Sequence, residues 1–316
     1  MPEQDKSLNK FERSSAKKPP LVSVVIPCLN RVSFIRSTIE SVLKQTYSNI
    51  ECIVVDGGST DGTLEILREY ENRLRWISGS DQGQGDAINQ GWRMSRGDIL
   101  AWLNADDEWK VPDAVVEAVQ FFEANPKVDV VYGDSVDVNR KGQVVGSTYS
   151  REWDFFRAVE YCDPGIPQPA SFIRRQIIEK VGGIDTSLRR IDHDLWLRIG
   201  LIGTIQHIPK PLARASNGRG ASFEKVIAGE CILVTKKFFS LPNVPETLFK
   251  KKKRIFSNAY IRAAEYAWLA GPHFSSMTVF GLKALWTDPS NAGRVVWKFF
   301  RCLLFLIKQK SKTSEV

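Results

Sequence analysis

The chain has 316 residues, 43% hydrophobic and 25% charged, an ordinary globular composition with room for one large domain plus an appendage or for two domains. Forty-four Lys and Arg against 36 Asp and Glu leave a net charge of +8, which suits phosphate-bearing ligands, nucleic acid or an anionic membrane surface and says nothing of fold. Five scattered cysteines with no C-x-x-C pair argue against a disulfide framework or zinc site and for a reducing compartment, and no uncharged run reaches the roughly 18 residues of a spanning helix.

Residues 1–20 are polar and close on Lys17-Lys18-Pro19-Pro20, which reads as a leader without fixed structure before a domain boundary. Leu21 to Ile26 predicts a buried strand stopped by Pro27, and Ile35, Ile39, Val42 and Leu43 then follow helical spacing. Ile50 to Val55 predicts a second buried strand, followed by a helix carrying Leu64, Ile66, Leu67 and Tyr70. Leu74 to Ile77 is a short third strand, Asp86 to Met94 a helix and Asp98 to Leu103 a strand. Val115, Val119 and Phe122 mark another helix, and Val128 to Tyr132 another strand. This alternation predicts a parallel sheet with right-handed crossovers. After Gly133 come short β-like pieces (Val136 to Val138, Gln143 to Tyr149), a Pro-rich segment from Pro164 to Pro169 and a further strand at Ser171 to Ile173. Helices are expected at Ile177 to Val181 and at Leu195 to Leu201, the second directly after Asp192-His193-Asp194. From about residue 221 the pattern is helical throughout, with a basic run from Lys250 to Arg254.

The informative stretch is Ile99-Leu100-Ala101-Trp102-Leu103-Asn104-Ala105-Asp106-Asp107. An apolar run of this kind is a strand covered on both faces, and ligands of open α/β sheets bind beyond the carboxyl ends of such strands. Hard oxygen donors there suit Mg²⁺ or Mn²⁺, which reach proteins together with substrate phosphates; the alternative is a polar turn in which Asp106 or Asp107 caps the following helix. Asp56 also ends a strand and precedes two glycines, so it can accept from a base N–H or a ribose hydroxyl, while Asp61 caps the next helix. The loop from Asp81 to Asp86 is glycine-rich but matches no phosphate-loop motif and lacks the lysine that one needs. Asp192 and Asp194 stand at a helix start, where the dipole favours carboxylates. Capping accounts for Asp194, Asp192 is freer to face a substrate, and His193 reads as a surface or supporting residue.

Together these segments resemble family-2 glycosyltransferases of the GT-A fold. Ser23-Val24-Val25-Ile26-Pro27, Val54 to Thr63 and Asp86-Ala87-Ile88-Asn89-Gln90-Gly91 resemble the nucleotide-binding half. Leu103 to Asp107 resembles the Asp-x-Asp metal site, and Gln168 to Arg175, Val181 to Asp185 and Asp192 to Arg198 resemble the acceptor half. The resemblance implies a Rossmann-like, mostly parallel sheet flanked by helices over residues 21–220, with a helical extension over 221–316. It implies a nucleoside-diphosphate sugar donor held by Pro27, Asn30, Asp56, Gly58, Asp86 and Asn104, with Asp56 on the nucleobase. Asp106, assisted by Asp107, would bind Mg²⁺ or Mn²⁺, and Asp192 would be the general base of an inverting transfer to a saccharide or lipid-linked acceptor. Two positions depart from the pattern: Asn104 replaces the first aspartate and is a neutral, weaker ligand, and Ser216 stands where many relatives carry histidine. A nucleotidyltransferase is the rival enzyme, although Pro27 to Arg31 lacks the glycines of its phosphate loop; a catalytically silent nucleotide-sugar module is the rival binding protein.

Nucleic acid is not expected as a partner, because the basic run has no aromatic stacking platform. The expected address is cytoplasmic, with peripheral contact to the membrane face. Arg294, Lys298, Arg301 and Lys308 form one stripe on a helix whose other positions, such as Val295, Trp297 and Phe300, are apolar. That pattern predicts an interfacial helix on an anionic membrane; the alternative packs the helix on the protein with its charges in water.

Overall fold

The structure is a computed structural model that describes residues 18–139, 143–148, 150–216, 221–269 and 274–300. The polar leader up to Lys17, and Arg301 and Lys308 of the stripe, lie outside the described residues. The strands are β1 (Val22–Cys28), β2 (Ile50–Asp56), β3 (Arg75–Ser78), β4 (Ile99–Trp102), β5 (Glu108–Trp109), β6 (Val130–Val138), β7 (Val144–Thr148), β8 (Ser171–Arg174) and β9 (Ile205–Ser216). The sheet helices are α1 (Ile35–Leu43), α2 (Thr63–Glu69), α3 (Gln84–Met94), α4 (Ala114–Ala124), α5 (Phe155–Tyr161), α6 (Arg175–Val181) and α7 (Ile191–Ile202). Beyond them come α8 (Ala221–Phe238), α9 (Glu246–Lys250), α10 (Lys252–Leu269), α11 (Phe274–Thr287) and α12 (residues 292–300).

The strands form one sheet in the order β3-β2-β1-β4-β8-β6-β9-β5, with β7 on β6. β1 to β4 are parallel, so Cys28, Asp56 and Ser78 end level with one another and Trp102 ends beside Val25. Strand order reverses between β1 and β4, the place where open α/β sheets bind ligands. Alternation along the strands divides the core. Val24 and Ile26 pack with α1, α2 and α4 on one face, and Val25, Leu100 and Trp102 with α3, α6 and α7 on the other. On the second face Trp102 stacks on Trp196 of α7 at 5.9 Å and meets Trp92 of α3 edge-on at 5.6 Å, so one strand residue sets the relation of the two helices that flank the site.

The expected α/β architecture stands, and the structure adds four details to it. The sheet is mixed, because β8 lies between β4 and β6 and runs antiparallel to both. β9, twelve residues long, was hidden by Pro209 and Pro211; its pairing with β6 is irregular there, and a bulge tolerates proline. α7 starts at Ile191, so Asp192, His193 and Asp194 belong to its first turn. The described part of the basic stripe faces inward: Arg294 donates to Asn258 Oδ1 at 2.6 Å and lies over the Tyr161 ring, and Lys298 pairs with Glu265.

The helical extension packs through Val234, Phe238, Leu248 and Ile255 against Ala158, Val159 and Leu197 of α5 and α7. It also reaches the loop before α7, where Glu230 Oε2 accepts from Arg189 N at 2.8 Å and Cys231 Sγ from Arg190 at 3.0 Å.

Candidate active site

The carboxyl ends of β1 and β2 are joined by side chains. Asn30 N donates to Ser59 Oγ at 2.7 Å, and Asn30 Oδ1 accepts from Thr60 N at 2.9 Å, which holds Asn30 at φ +52°. Asp61 accepts from Val32 N and from Thr63 N, while the N-cap position of α2 is Gly62, so Asp61 ties the loop ahead of the helix and does not stand at its cap. Asp56 is only 1% exposed. Its carboxylate accepts from Gly58 N at 3.0 Å, Ser59 N at 2.9 Å, Ser78 Oγ at 2.6 Å and the Ser59 hydroxyl. Asp56 thus lies in the floor of the edge, held by the turn that follows it and by Ser78. The turn needs its glycines, since Gly58 sits at φ +88° and a Cβ on Gly57 would fall 2.9 Å from Asp81 Oδ2. Asp81, partly exposed, is thus the carboxylate laid over this turn.

Asn104, Asp106 and Asp107 follow β4. Gln84 Nε2, at the start of α3, donates to Asn104 Oδ1 at 2.5 Å. Asn104 Nδ2 donates to Asp107 Oδ2 at 2.9 Å and Gln168 Oε1 at 3.2 Å. Gln168 Nε2 in turn donates to Trp102 O at 2.7 Å. With oxygens facing Nδ2 and a donor facing Oδ1, the amide is engaged at both ends; Asn104 here braces the turn, where a weak metal ligand was expected. Asp107 is 5% exposed and also accepts from Ser216 N at 2.9 Å. Ser216 thus reaches the acidic turn through its backbone. Asp106 is partly exposed and makes no hydrogen bond among the described residues. The Cys28 thiol, pushed up to about 12 by burial first and then by Asp56, Asp61 and Asp106 against the pull of Arg31, reports a negative field at this edge.

α3 links this edge to α7. A Cβ on Gly85 would strike Ile184 Cγ2 at 2.9 Å and meet Ile191 Cγ2 at 3.5 Å, so the close approach of the first turns of α3 and α7 needs glycine. Asn89 seals the contact, donating to Ile184 O and accepting from Ile184 N, both at 2.9 Å. Asp86 Oδ2 accepts from Gln82 N at 3.2 Å and steadies its own loop. Asp192, next to Ile191, is partly exposed and accepts from His193 N at 2.8 Å. Asp194 is buried and paired with Arg198 one turn on at 2.7 Å, so it does not cap the helix. Burial raises its carboxyl above the usual range while Arg198 opposes the shift. His193 is not at the surface: both ring nitrogens are buried without a hydrogen-bond partner among the described residues. Its pKa lies well below the ordinary value through burial, with Arg190 and Arg262 adding to the effect.

The structure thus places Pro27, Asn30, Asp56 and Gly58 at the ends of β1 and β2 and Asn104, Asp106 and Asp107 after β4, while Asp192 lies in the first turn of α7, which packs on the first turn of α3. Gln84, Gln168 and Glu230 were not picked out by sequence reasoning as supports of the site. Among the described residues no cluster of three or more His, Cys, Asp or Glu forms a self-sufficient metal cage. A site completed by substrate phosphates needs only one or two carboxylates, and Asp106 and Asp107 in a negative field fit that description.

This sheet, with its site at the β1/β4 edge, is that of a GT-A glycosyltransferase. TarS of S. aureus (residues 1–349) superimposes with a TM-score of 0.61 at 17% identity, over 89% of this chain and 91% of that one. A mannosyltransferase, PcManGT of Pyrobaculum calidifontis in complex with GDP-Man and Mn²⁺, gives 0.56 at 20% identity over 91% and 88%. The family model for glycosyl transferase family 2 matches residues 23–182, and the chain belongs to that family. Among curated proteins, chondroitin synthase of Escherichia coli is 31% identical over 222 residues, 69% of this chain and 32% of its own length. The O-antigen biosynthesis protein RfbC of Myxococcus xanthus is 32% identical over 213 residues, 64% of this chain and 16% of its own. The chain spans about a third or less of these two relatives.

Proposed function

We propose that the protein transfers a sugar from a nucleoside-diphosphate donor to a hydroxyl group of a saccharide or lipid-linked glycan, with inversion at the anomeric carbon. What supports this reading is that two partly exposed carboxylates, Asp106 after β4 and Asp192 in the first turn of α7, belong to segments that the start of α3 touches, through Gln84 to Asn104 and Gly85 to Ile191. A sugar hydroxyl is a poor nucleophile at neutral pH, so a carboxylate must take its proton as the new bond forms. Asp192 takes that proton; the acceptor oxygen bonds to the anomeric carbon, and the diphosphate leaves from the opposite face with the electron pair of the broken C–O bond. Asp194, held by Arg198, is the poorer base.

The loop from Asp81 to Asp86 and the turn at Gly57 and Gly58 hold the nucleotide, and Asn30 and Asp56 keep that turn in shape. Asp106, with Asp107 behind it, would hold Mg²⁺ or Mn²⁺. When bound, the cation supplies charge neutralisation on the departing diphosphate. A solved neighbour described with GDP-Man and Mn²⁺ and another with UDP-GlcNAc support the donor class. Chondroitin synthase and an O-antigen protein among the relatives support a polysaccharide acceptor. The test incubates the protein with a panel of nucleoside-diphosphate sugars and measures release of nucleoside diphosphate. Turnover with one donor supports transfer, and binding without turnover supports the silent module.

A further inference from the structure

We infer that the helical extension docks the protein on an anionic lipid surface through the apolar face shared by α11 and α12. On α11, Val279, Leu282 and Trp286 stand in solvent, and on α12 so do Val296, Trp297 and Phe300; Trp286 is 89% exposed and Trp297 56%. Between the helices runs an apolar groove of about 490 Å³, walled by Met277, Leu285, Val295 and Phe299. The two charged side chains of α12 turn the other way, Arg294 to Asn258 and Lys298 to Glu265. α12 therefore turns Arg294 and Lys298, with Val295 and Phe299, to its own protein and leaves Val296, Trp297 and Phe300 in solvent. That arrangement is unfavourable in water and becomes favourable when something covers the face.

Two observations select a lipid surface as the cover. Residues 221–316 hold sixteen Lys and Arg against six Asp and Glu, while residues 1–220 hold 28 against 30. The whole positive surplus thus lies in the segment that carries the apolar face, and like charge opposes pairing two copies through it. The second observation is placement. α10 and α11 run antiparallel, with Ser257 Oγ bonded to Ala284 O at 2.9 Å and Trp268 packed with Met277. Trp286 therefore lies at the same end of the hairpin as the exposed run from Lys250 to Arg254. Lys283, the one charge on α11, is exposed within the face, and the sequence after α12 adds Arg301, Lys308, Lys310 and Lys312 against Glu315. Tryptophan beside lysine is the pairing that suits a headgroup boundary. No helix among the described residues is long and apolar enough to cross a membrane, so the contact lies on the surface.

The test sediments the full chain with phosphatidylcholine vesicles, with and without about one-third phosphatidylglycerol, and measures quenching of tryptophan fluorescence by brominated acyl chains. Binding is expected only to the anionic vesicles, with release as salt rises and with quenching. Trp286→Ser combined with Trp297→Ser is expected to lower vesicle affinity on the order of tenfold or more at an unchanged melting temperature. Quenching of the unaltered chain keeps the test decisive even if the double variant misfolds. The inference is overturned if the unaltered chain ignores anionic vesicles or if a folded double variant binds equally well. It is also overturned if light scattering shows a dimer that the double variant converts to monomer, because a second copy then covers the face.

Discussion

Around the sheet three tryptophans are inside and three carboxylates outside. Trp92, Trp102 and Trp196 form one buried cluster, while Asp81, Asp106 and Asp192 reach the surface at the strand ends. In the last two helices the order is reversed, with Trp286 and Trp297 in solvent and Arg294 and Lys298 bonded inward. The contrast follows from what each region faces. Strands covered on both sides by helices leave only their ends to water, and the polar residues that end them gather at one edge. α12 has no such edge: its Arg294 and Lys298 satisfy Asn258 and Glu265, and part of its apolar circumference is left in solvent.

The largest expected effect concerns the acceptor side of the edge. Asp192→Asn keeps size and removes the proton acceptor, so turnover falls by ~10²–10⁴ while donor affinity stays within a few-fold. Steady-state kinetics against a binding titration separates the two, and turnover within tenfold of the unaltered protein would place the base elsewhere. On the donor side, Asp106→Ala is expected to lower turnover on the order of a hundredfold and to abolish the effect of Mg²⁺ or Mn²⁺ on donor binding, read by calorimetry with and without chelator. Retention of the cation effect would move the metal ligand to another residue.

A smaller effect is expected at the brace. Asn104→Asp restores the acidic residue that the family pattern carries there, yet it sets a carboxylate against Asp107 Oδ2 and Gln168 Oε1, where an N–H₂ now donates. We expect a loss of about 1–3 kcal/mol in urea unfolding at neutral pH, and an unchanged midpoint would show that the turn rearranges freely. The smallest effect concerns His193, which lies between the two regions. Its folded pKa lies well below the ordinary 6.5 or so of an unfolded chain, so the unfolded chain binds the proton first. Stability is therefore full above about pH 6.5 and falls as pH drops toward the folded value, by at most about 1.4 kcal/mol per unit. His193→Leu should flatten that part of a stability profile, whereas an unaltered slope would put the sensitivity on another group.

Much of the sheet was legible because β1, β2 and β4 are buried on both faces and read as unbroken apolar runs. β9 was not, because its prolines mark an edge or a loop in a sequence although a bulge accommodates them. The antiparallel course of β8 was equally hidden, since four apolar residues carry no direction. The candidate residues were legible as types at strand ends: Asn30 follows β1, Asp56 ends β2, and Asn104, Asp106 and Asp107 follow β4. Their duties were not, because they depend on partners far along the chain. Asn104 meets Gln84 and Gln168 across separations of 20 and 64 residues, and Asp56 is enclosed by Ser78 from the next strand. For the last helix, both readings of the periodicity set the basic positions outward, whereas Arg294 and Lys298 turn to Asn258 and Glu265, partners that no local pattern reveals.

The central claim is that the edge formed by Asp56, Asp81 and Asp106 binds a nucleoside-diphosphate sugar together with a divalent cation. The direct measurement is the melting temperature of the full chain across a panel of such donors, with Mg²⁺ or Mn²⁺ and again in excess chelator. Stabilisation by binding is about 2.7 kcal/mol at a hundred times the dissociation constant, enough to move the transition visibly. The account predicts a rise with one donor in the presence of cation, no rise in chelator, and no rise for Asp106→Ala. A protein that melts at the same temperature with every donor, or that responds equally in chelator, would contradict it.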